Sequence, residues 1–161
     1  MTAEIISRTI VVGYDESPAA KAAVEYAIDR AGPDGHVVVV HAYLVPNDHV
    51  GASYYNEMLA DASQYATGVL DRLEQDCERL GTVAYDRDVS VGSAATAIIG
   101  AAESHQADEI VVGSRGVGRV RALMGSVAHD VIHRARCPVT VIPERMVELQ
   151  TRTPVAVASA V

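Results

Sequence analysis

Runs of β-branched residues alternate along this chain with stretches whose apolar positions recur every three or four residues. Thr9–Val12 is a continuous apolar run ending at Gly13, a pattern that predicts a strand buried on both faces. Ser17 and Pro18 then supply an N-cap and a first helical residue, and Ala20, Ala23, Val24, Ala27, Ile28 and Ala31 fall on one helical face. Gly32-Pro33-Asp34-Gly35 stops that helix. Val37–Val40, extended through His41, Ala42 and Tyr43, predicts a second buried strand. Residues 46–56 read as a polar loop. Beyond it, Met58, Ala62, Tyr65, Val69, Leu73, Cys77 and Leu80 predict a long amphipathic helix over 57–80, ended by Gly81.

The second half continues the alternation. Val83, Tyr85, Arg87, Val89 and Val91 place an edge strand with one wetter face over 82–91. Gly92-Ser93 opens a helix carrying Ile98, Ile99 and Ala102, and residues 108–113 form a fourth strand. Another helix is expected to start near Gly125-Ser126 with Val127, Val131 and Ile132 inward, followed by a fifth strand over 138–142. This order predicts an α/β fold, a single open, five-stranded, mostly parallel sheet flanked by helices and wound by right-handed crossovers. Such sheets take ligands beyond the carboxyl ends of their strands, where the winding reverses. Val-Val-Gly occurs at 11–13 and again at 111–113, so Gly13 and Gly113 are expected in one crevice if those strands adjoin. Residues 1–143 read as one domain. Residues 144–161 read as a tail packing on the sheet edge or on a partner subunit, with 154–157 suited to one more edge strand.

Composition narrows the function. A chain of 161 residues, 49% hydrophobic and 21% charged, suits one core of ordinary size. Phe and Trp are absent, so that core is aliphatic with some tyrosine, and Lys21 is the lone lysine. A net charge of −8 opposes non-specific binding to nucleic acid or anionic membrane, though a local basic patch can still hold phosphate. Cys77 and Cys137 form neither a metal motif nor a disulfide framework and are expected as buried thiols in a reducing compartment. Glu4 and Arg8 interrupt the apolar stretch near the start, so no signal peptide is read there. The longest apolar run is too short to cross a membrane. A cytoplasmic protein is expected.

The stretch from Gly113 to Ser126 carries the strongest chemical signal. Glycine lets backbone approach a ligand closely, and Gly125-Ser126 stands at a helix start whose N–H groups favour an anion. Arg115, Arg119 and Arg121 lie in the same segment of an otherwise acidic chain. Against this stand plain readings. The segment also suits a solvated loop before an N-capped helix, and Asp15 suits a turn-stabilising carboxylate. His41 reads as a satisfied core histidine, His129 and His133 as surface histidines despite their i, i+4 spacing. Tyr54-Tyr55 reads as loop packing, with a lid or partner contact as the alternative.

Taken together, Val11-Val-Gly-Tyr-Asp15, His41-Ala42, Val91-Gly92-Ser93, residues 108–113, Gly113-x-x-Gly116, Gly125-Ser126 and Cys137-Pro138-Val139 resemble the universal stress protein family, in its ATP-binding branch. The resemblance spans roughly residues 6–143, with the segment between Gly116 and Gly125 one residue shorter than the family pattern. It implies a Rossmann-like, adenine nucleotide alpha-hydrolase-like fold. It further implies that Asp15 and the Ala42 backbone hold adenine, and that Val112, Gly113 and Gly116 line the ribose and first phosphate. Gly125, Ser126 and Val127 would hold the remaining phosphates. Gly13 belongs to the same crevice, and Arg115 is added by its nearness to the phosphate chain. Mg²⁺ is expected on the phosphates rather than in a protein-built site. The family also implies a homodimer paired through strand 138–142, and a regulatory protein partner that the sequence does not name.

No His-x-Gly-His, Ser-Gly-Gly-x-Asp-Ser or P-loop lysine motif occurs, and nothing pairs a nucleophile with a base. The expectation is therefore an ATP-binding stress-response regulator with at most weak ATP hydrolysis. A slow ATPase or phosphotransfer enzyme and a nucleotide-free interaction module stand as rivals.

Overall fold

The computed structural model describes residues 7–45, 52–114 and 124–143. Five strands, β1 (Thr9–Gly13), β2 (His36–Tyr43), β3 (Ala84–Val91), β4 (Glu109–Gly113) and β5 (Val139–Ile142), form one sheet in the order β3-β2-β1-β4-β5. All four pairings are parallel, with Val11 level with Val38 on one side and Ile110 on the other. Helices α1 (Pro18–Ala31) and α2 (Ala52–Asp76) pack on one face of the sheet, α3 (Ala94–Ser104) and α4 (Ser126–Arg134) on the other. The winding runs outward from β1 through β2 to β3, then crosses back to β4. The reversal lies between β1 and β4, whose carboxyl ends are Gly13 and Gly113.

The period-two geometry of a strand explains why the central strands are continuously apolar. Ile10, Val12, Val37, Val39 and Val111 face α1 and α2, while Val11, Val38, Val40, Ile110 and Val112 face α3 and α4. Each of these valines and isoleucines contributes roughly 1.5–3 kcal/mol by leaving water. Ser17 caps α1 as its sequence suggests, its Oγ accepting from the Ala20 N–H at 3.1 Å with Pro18 in the first turn. Buried Glu109 is satisfied: Arg30 Nε donates to it at 3.0 Å and the Thr140 hydroxyl at 2.5 Å.

Three expectations are corrected. Helix α2 begins at Ala52, so residues 52–56, including Tyr54 and Tyr55, are helical rather than loop. No glycine or proline interrupts residues 52–67, and Ala, Glu, Met and Leu favour helix there. The same helix ends at Asp76, and a 3₁₀ turn over Glu78–Thr82 follows, returning Leu80 to the core. In α4 the inward residues are Ala128 and Val131, whereas Val127 and Ile132 are 37% and 41% exposed. Four neighbouring apolar positions fit two adjacent faces, and packing against α3 selects the one with small Ala128.

Edge strand β3 is anchored from its polar side. Arg87 donates to Asp71 at 2.7 Å and to the Thr67 carbonyl at 3.1 Å, both on α2. Among the described residues, no helix is long and apolar enough to cross a membrane.

Candidate functional site

The carboxyl edge gathers most of the predicted residues around the β1/β4 reversal. Tyr14 links the first group. Its N–H donates to the Val40 carbonyl at 2.9 Å, and its own carbonyl accepts from His41 Nδ1 at 2.8 Å. The carbonyl partner fixes the proton on Nδ1, so His41 is a half-buried structural histidine. These two bonds tie the segment just past β1, which carries Asp15, to the end of β2, which carries Ala42. Asp15 Oδ1 accepts from the Ser17 N–H at 3.1 Å, so this carboxylate does stabilise the turn into α1. Glu16 between them takes a φ of 64°, and Arg72 Nε holds its carboxylate at 2.9 Å.

Ser114 organises the second group. Its N–H donates to the Ile142 carbonyl at 2.8 Å, and its carbonyl accepts from the Gly125 N–H at 2.7 Å. The start of α4 is thereby fastened at Gly125 to Ser114, just past the end of β4, and through Ser114 to the end of β5. Arg115 and Gly116 lie outside the described residues. Sequence reasoning missed the parts of Ser114 and His41 in this assembly, because both act through backbone carbonyls.

Gly13 and Gly113 permit close approaches, but to protein. A Cβ on Gly13 would meet Ile98 Cδ1 at 2.6 Å and Val112 Cγ1 at 3.3 Å. On Gly113 it would meet Ala19 Cβ at 3.0 Å and the Ala19–Ala20 backbone at 3.2 Å. The two glycines therefore let α3 and the first turn of α1 sit directly against the strand ends. Gly125 occupies an extended φ of −72°, open to any residue, so backbone freedom does not explain it.

The helix starts differ in their capping. The first turn of α1 is closed by Ser17, whereas among the described residues no side chain caps α3 or α4, although Ser93 and Gly125 stand at their N-cap positions. Gly125 spends its own N–H on Ser114, which leaves Ser126, Val127 and Ala128 as the first-turn donors of α4. Ser126 and Val127 are exposed at this edge, and Ala128 is buried. Chemically, this is a helix start able to receive an anion.

A separate cavity of about 370 Å³ lies between α1 and α2, lined by Glu16, Lys21, Glu25, Leu73, Asp76 and Cys77. Its carboxylates outnumber Lys21, itself paired with Asp76 at 3.2 Å, so it disfavours phosphate. The Cys77 thiol donates to Glu25 at 3.2 Å, and burial first, then that carboxylate, push its pKa up to about 11. Burial, then Glu16, Asp76 and Asp15, push the Tyr14 phenol up to about 12. Cys77 is the buried thiol expected; Cys137 is half-buried. His129 and His133 lie exposed on α4 with ring centroids 4.4 Å apart, as surface histidines.

A doubly wound parallel sheet with its reversal at β1/β4 places the molecule among Rossmann-like α/β proteins. The family model of the universal stress protein family matches residues 7–143, and the chain belongs to that family. It is 34% identical over 138 residues to a universal stress protein of Thermus aquaticus encoded in the QAH/OAS sulfhydrylase 3′ region, covering 84% of this chain and 98% of the relative. Universal stress protein UspA from Lactobacillus plantarum superposes with a TM-score of 0.70 at 25% identity, covering 86% of this chain and 99% of that one. A universal stress protein in complex with cAMP gives a TM-score of 0.61 at 25% identity, covering 84% of this chain and 96% of that one.

Proposed function

We propose that this chain is a nucleotide-dependent stress-response regulator that binds ATP, with Mg²⁺ on the phosphates, at the carboxyl edge between β1 and β4. The observation carrying this reading is the exposed start of α4, fastened through Ser114 to the end of β4 at the reversal point. The relative solved with cAMP supports an adenine nucleotide as the ligand class. In this reading Asp15 and the Ala42 backbone hold adenine, beside the Gly13 end of β1. Val112, Gly113 and Gly116 line the ribose and first phosphate. The Ser126 hydroxyl and the N–H groups of Ser126 and Val127 hold the outer phosphates, Gly125 leaves room for them, and Arg115 adds charge. Binding and sensing follow from these parts, with hydrolysis at most weak.

The functional unit is residues 1–143, acting in the cytoplasm as a homodimer paired through strand 138–142. That strand includes β5, at one end of the sheet order, and an unpaired edge is a template for a second copy. The tail, 144–161, lies outside the described residues.

Calorimetry with MgATP, ATP plus chelator, cAMP and adenosine tests the nucleotide reading. MgATP is expected to bind with one site per chain, and chelation is expected to weaken ATP while leaving adenosine unchanged. No saturable binding of any of the four would overturn it. Light scattering tests the dimer, which a mass at the 17.0 kDa of one chain would rule out.

A further inference from the structure

At the opposite, amino-terminal edge of the sheet, three potential metal ligands converge from three elements. His36 opens β2, Asp86 lies on neighbouring β3, and His105 directly follows α3. His36 Nε2 and Asp86 Oδ2 are 3.1 Å apart, and the His36 and His105 ring centroids are 5.9 Å apart. One donor atom from each of the three residues lies within 4.8 Å of the other two. Ala42 is six residues further along β2 than His36, roughly 20 Å away at the rise of a strand, so this cluster is separate from the nucleotide crevice.

The backbone delivers these side chains to one place. Val38 is level with Asp86 in the β2–β3 pairing, and both His36 and Val38 stand on the sheet face that carries α3. Helix α3 then terminates in a Schellman turn: the Ala107 N–H donates to the Ala102 carbonyl at 2.8 Å and the Gln106 N–H to the Glu103 carbonyl at 3.3 Å. Gln106 takes a φ of 50° at the position where glycine is usual. This turn sets His105 over the start of β2. The His36 N–H donates to the Arg8 carbonyl at 2.8 Å, which fixes the strand end from behind.

We propose that His36, Asp86 and His105 bind one divalent transition-metal ion of the Zn²⁺ class, with solvent completing its coordination. Two imidazoles and a carboxylate suit such borderline cations better than Mg²⁺ or Ca²⁺, which prefer oxygen throughout. Ligands around tetrahedral Zn²⁺ sit about 3.4 Å from one another, given metal–ligand bonds of about 2.0–2.1 Å. The His36–Asp86 pair already has nearly that separation. His105 closes the remainder by side-chain rotation, and among the described residues no protein atom hydrogen-bonds its ring. The Asp86 side chain is 57% exposed and that of His36 28%, so the ion can enter from solvent and keep water as its outer ligand. An ordinary surface ion pair between His36 and Asp86 accounts for those two residues, and leaves the convergence of His105 unexplained.

The test is titration of the full chain with ZnCl₂ alone by calorimetry, with the visible spectrum of the Co²⁺ form as a second readout. One ion is expected per chain. His36→Ala and His105→Ala are each expected to weaken it at least about tenfold, the scale on which even outer-shell changes act. Asp86→Asn, isosteric and on the surface, is expected to do the same with an unchanged circular dichroism spectrum. A His129→Ala/His133→Ala double variant and Cys137→Ser are expected to bind as the parent does. Absence of saturable Zn²⁺ binding up to about 1 mM, a weak regime for such ligand sets, would overturn the proposal. Binding that survives His105→Ala, or that disappears with the α4 histidines or Cys137, would overturn it too.

Discussion

The two ends of this sheet use their polar groups in opposite ways. At the amino edge, Glu109 and Asp108 are bound to protein. Glu109 is held by Arg30 and Thr140, and Asp108 Oδ2 accepts from the Thr9 N–H at 2.8 Å. At the carboxyl edge, among the described residues, α3 and α4 begin without side-chain caps, and the start of α4 carries exposed Ser126 and Val127. Helix α1 begins at that same edge with its cap in place, so strand polarity alone does not dictate the difference. Donors closed by the chain's own side chains add stability. Donors left at a helix start are available to an anion, and that division separates these stabilising pairs from the proposed nucleotide site.

The division is most sharply tested at Gly125. Replacing Gly125 by Val is expected to lower nucleotide affinity at least about a hundredfold, since a branched side chain fills phosphate space at the helix start. Its φ of −72° accommodates valine, so the melting temperature is expected to stay within a few degrees of the parent. Binding at parental strength would place the phosphates elsewhere.

Alkali probes the side of the molecule between α1 and α2. The folded state holds the Cys77 proton up to about 11 and the Tyr14 proton up to about 12, while the unfolded chain releases them near 9 and 10. Between those values the unfolded state binds fewer protons, so stability falls as pH rises from about 9 to about 12, by on the order of 2–3 kcal/mol per group. Denaturant unfolding at pH 8 and pH 10.5 measures this. Cys77→Ala is expected to flatten the lower part of the slope, and an unchanged slope would contradict the assignment.

At the amino edge, Glu109→Ala leaves the Thr140 hydroxyl and Arg30 without their partner. The expected cost is about 2 kcal/mol of stability, moderated because solvent screens the half-exposed guanidinium, with no change in nucleotide affinity. A fall in affinity beyond threefold would mean the two edges are coupled. The smallest effects come as a matched pair of serines at two helix starts. Ser17→Ala is expected to cost about 1 kcal/mol of stability and no affinity. Ser126→Ala is expected to cost about 1–2 kcal/mol of affinity and little stability. Exchange of those two outcomes would reverse the account.

Much of this architecture is legible in the residues. The continuous apolar runs Ile10–Val12 and Val37–Val40, buried on both faces, and the Ser17–Pro18 helix start are patterns that a sequence displays directly. The face of α4 is not legible, because Val127, Ala128, Val131 and Ile132 fit two rotations and only packing against α3 chooses one. The start of α2 is hidden for a related reason: Tyr54, Tyr55 and Asn56 look loop-like singly and become helical in a long run without breakers. Gly13 and Gly113 mark close approaches, as their positions suggest, but what approaches is Ile98 and Ala19, from helices distant in sequence. The candidate site residues come from the family resemblance. The carbonyl of Ser114 and the Nδ1 proton of His41, which gather them, emerge only once the strands are paired.

The central claim, that an adenine nucleotide binds at the carboxyl edge, is tested most directly by mapping backbone amide shifts during titration of the ¹⁵N-labelled chain with MgATP. The account predicts the largest changes at Gly13–Asp15, Ala42, Val112–Ser114 and Gly125–Val127, with His36, Asp86, His105 and Glu109 unmoved. Changes confined to the amino edge, or to Lys21, Glu25 and Cys77 around the cavity between α1 and α2, would contradict it.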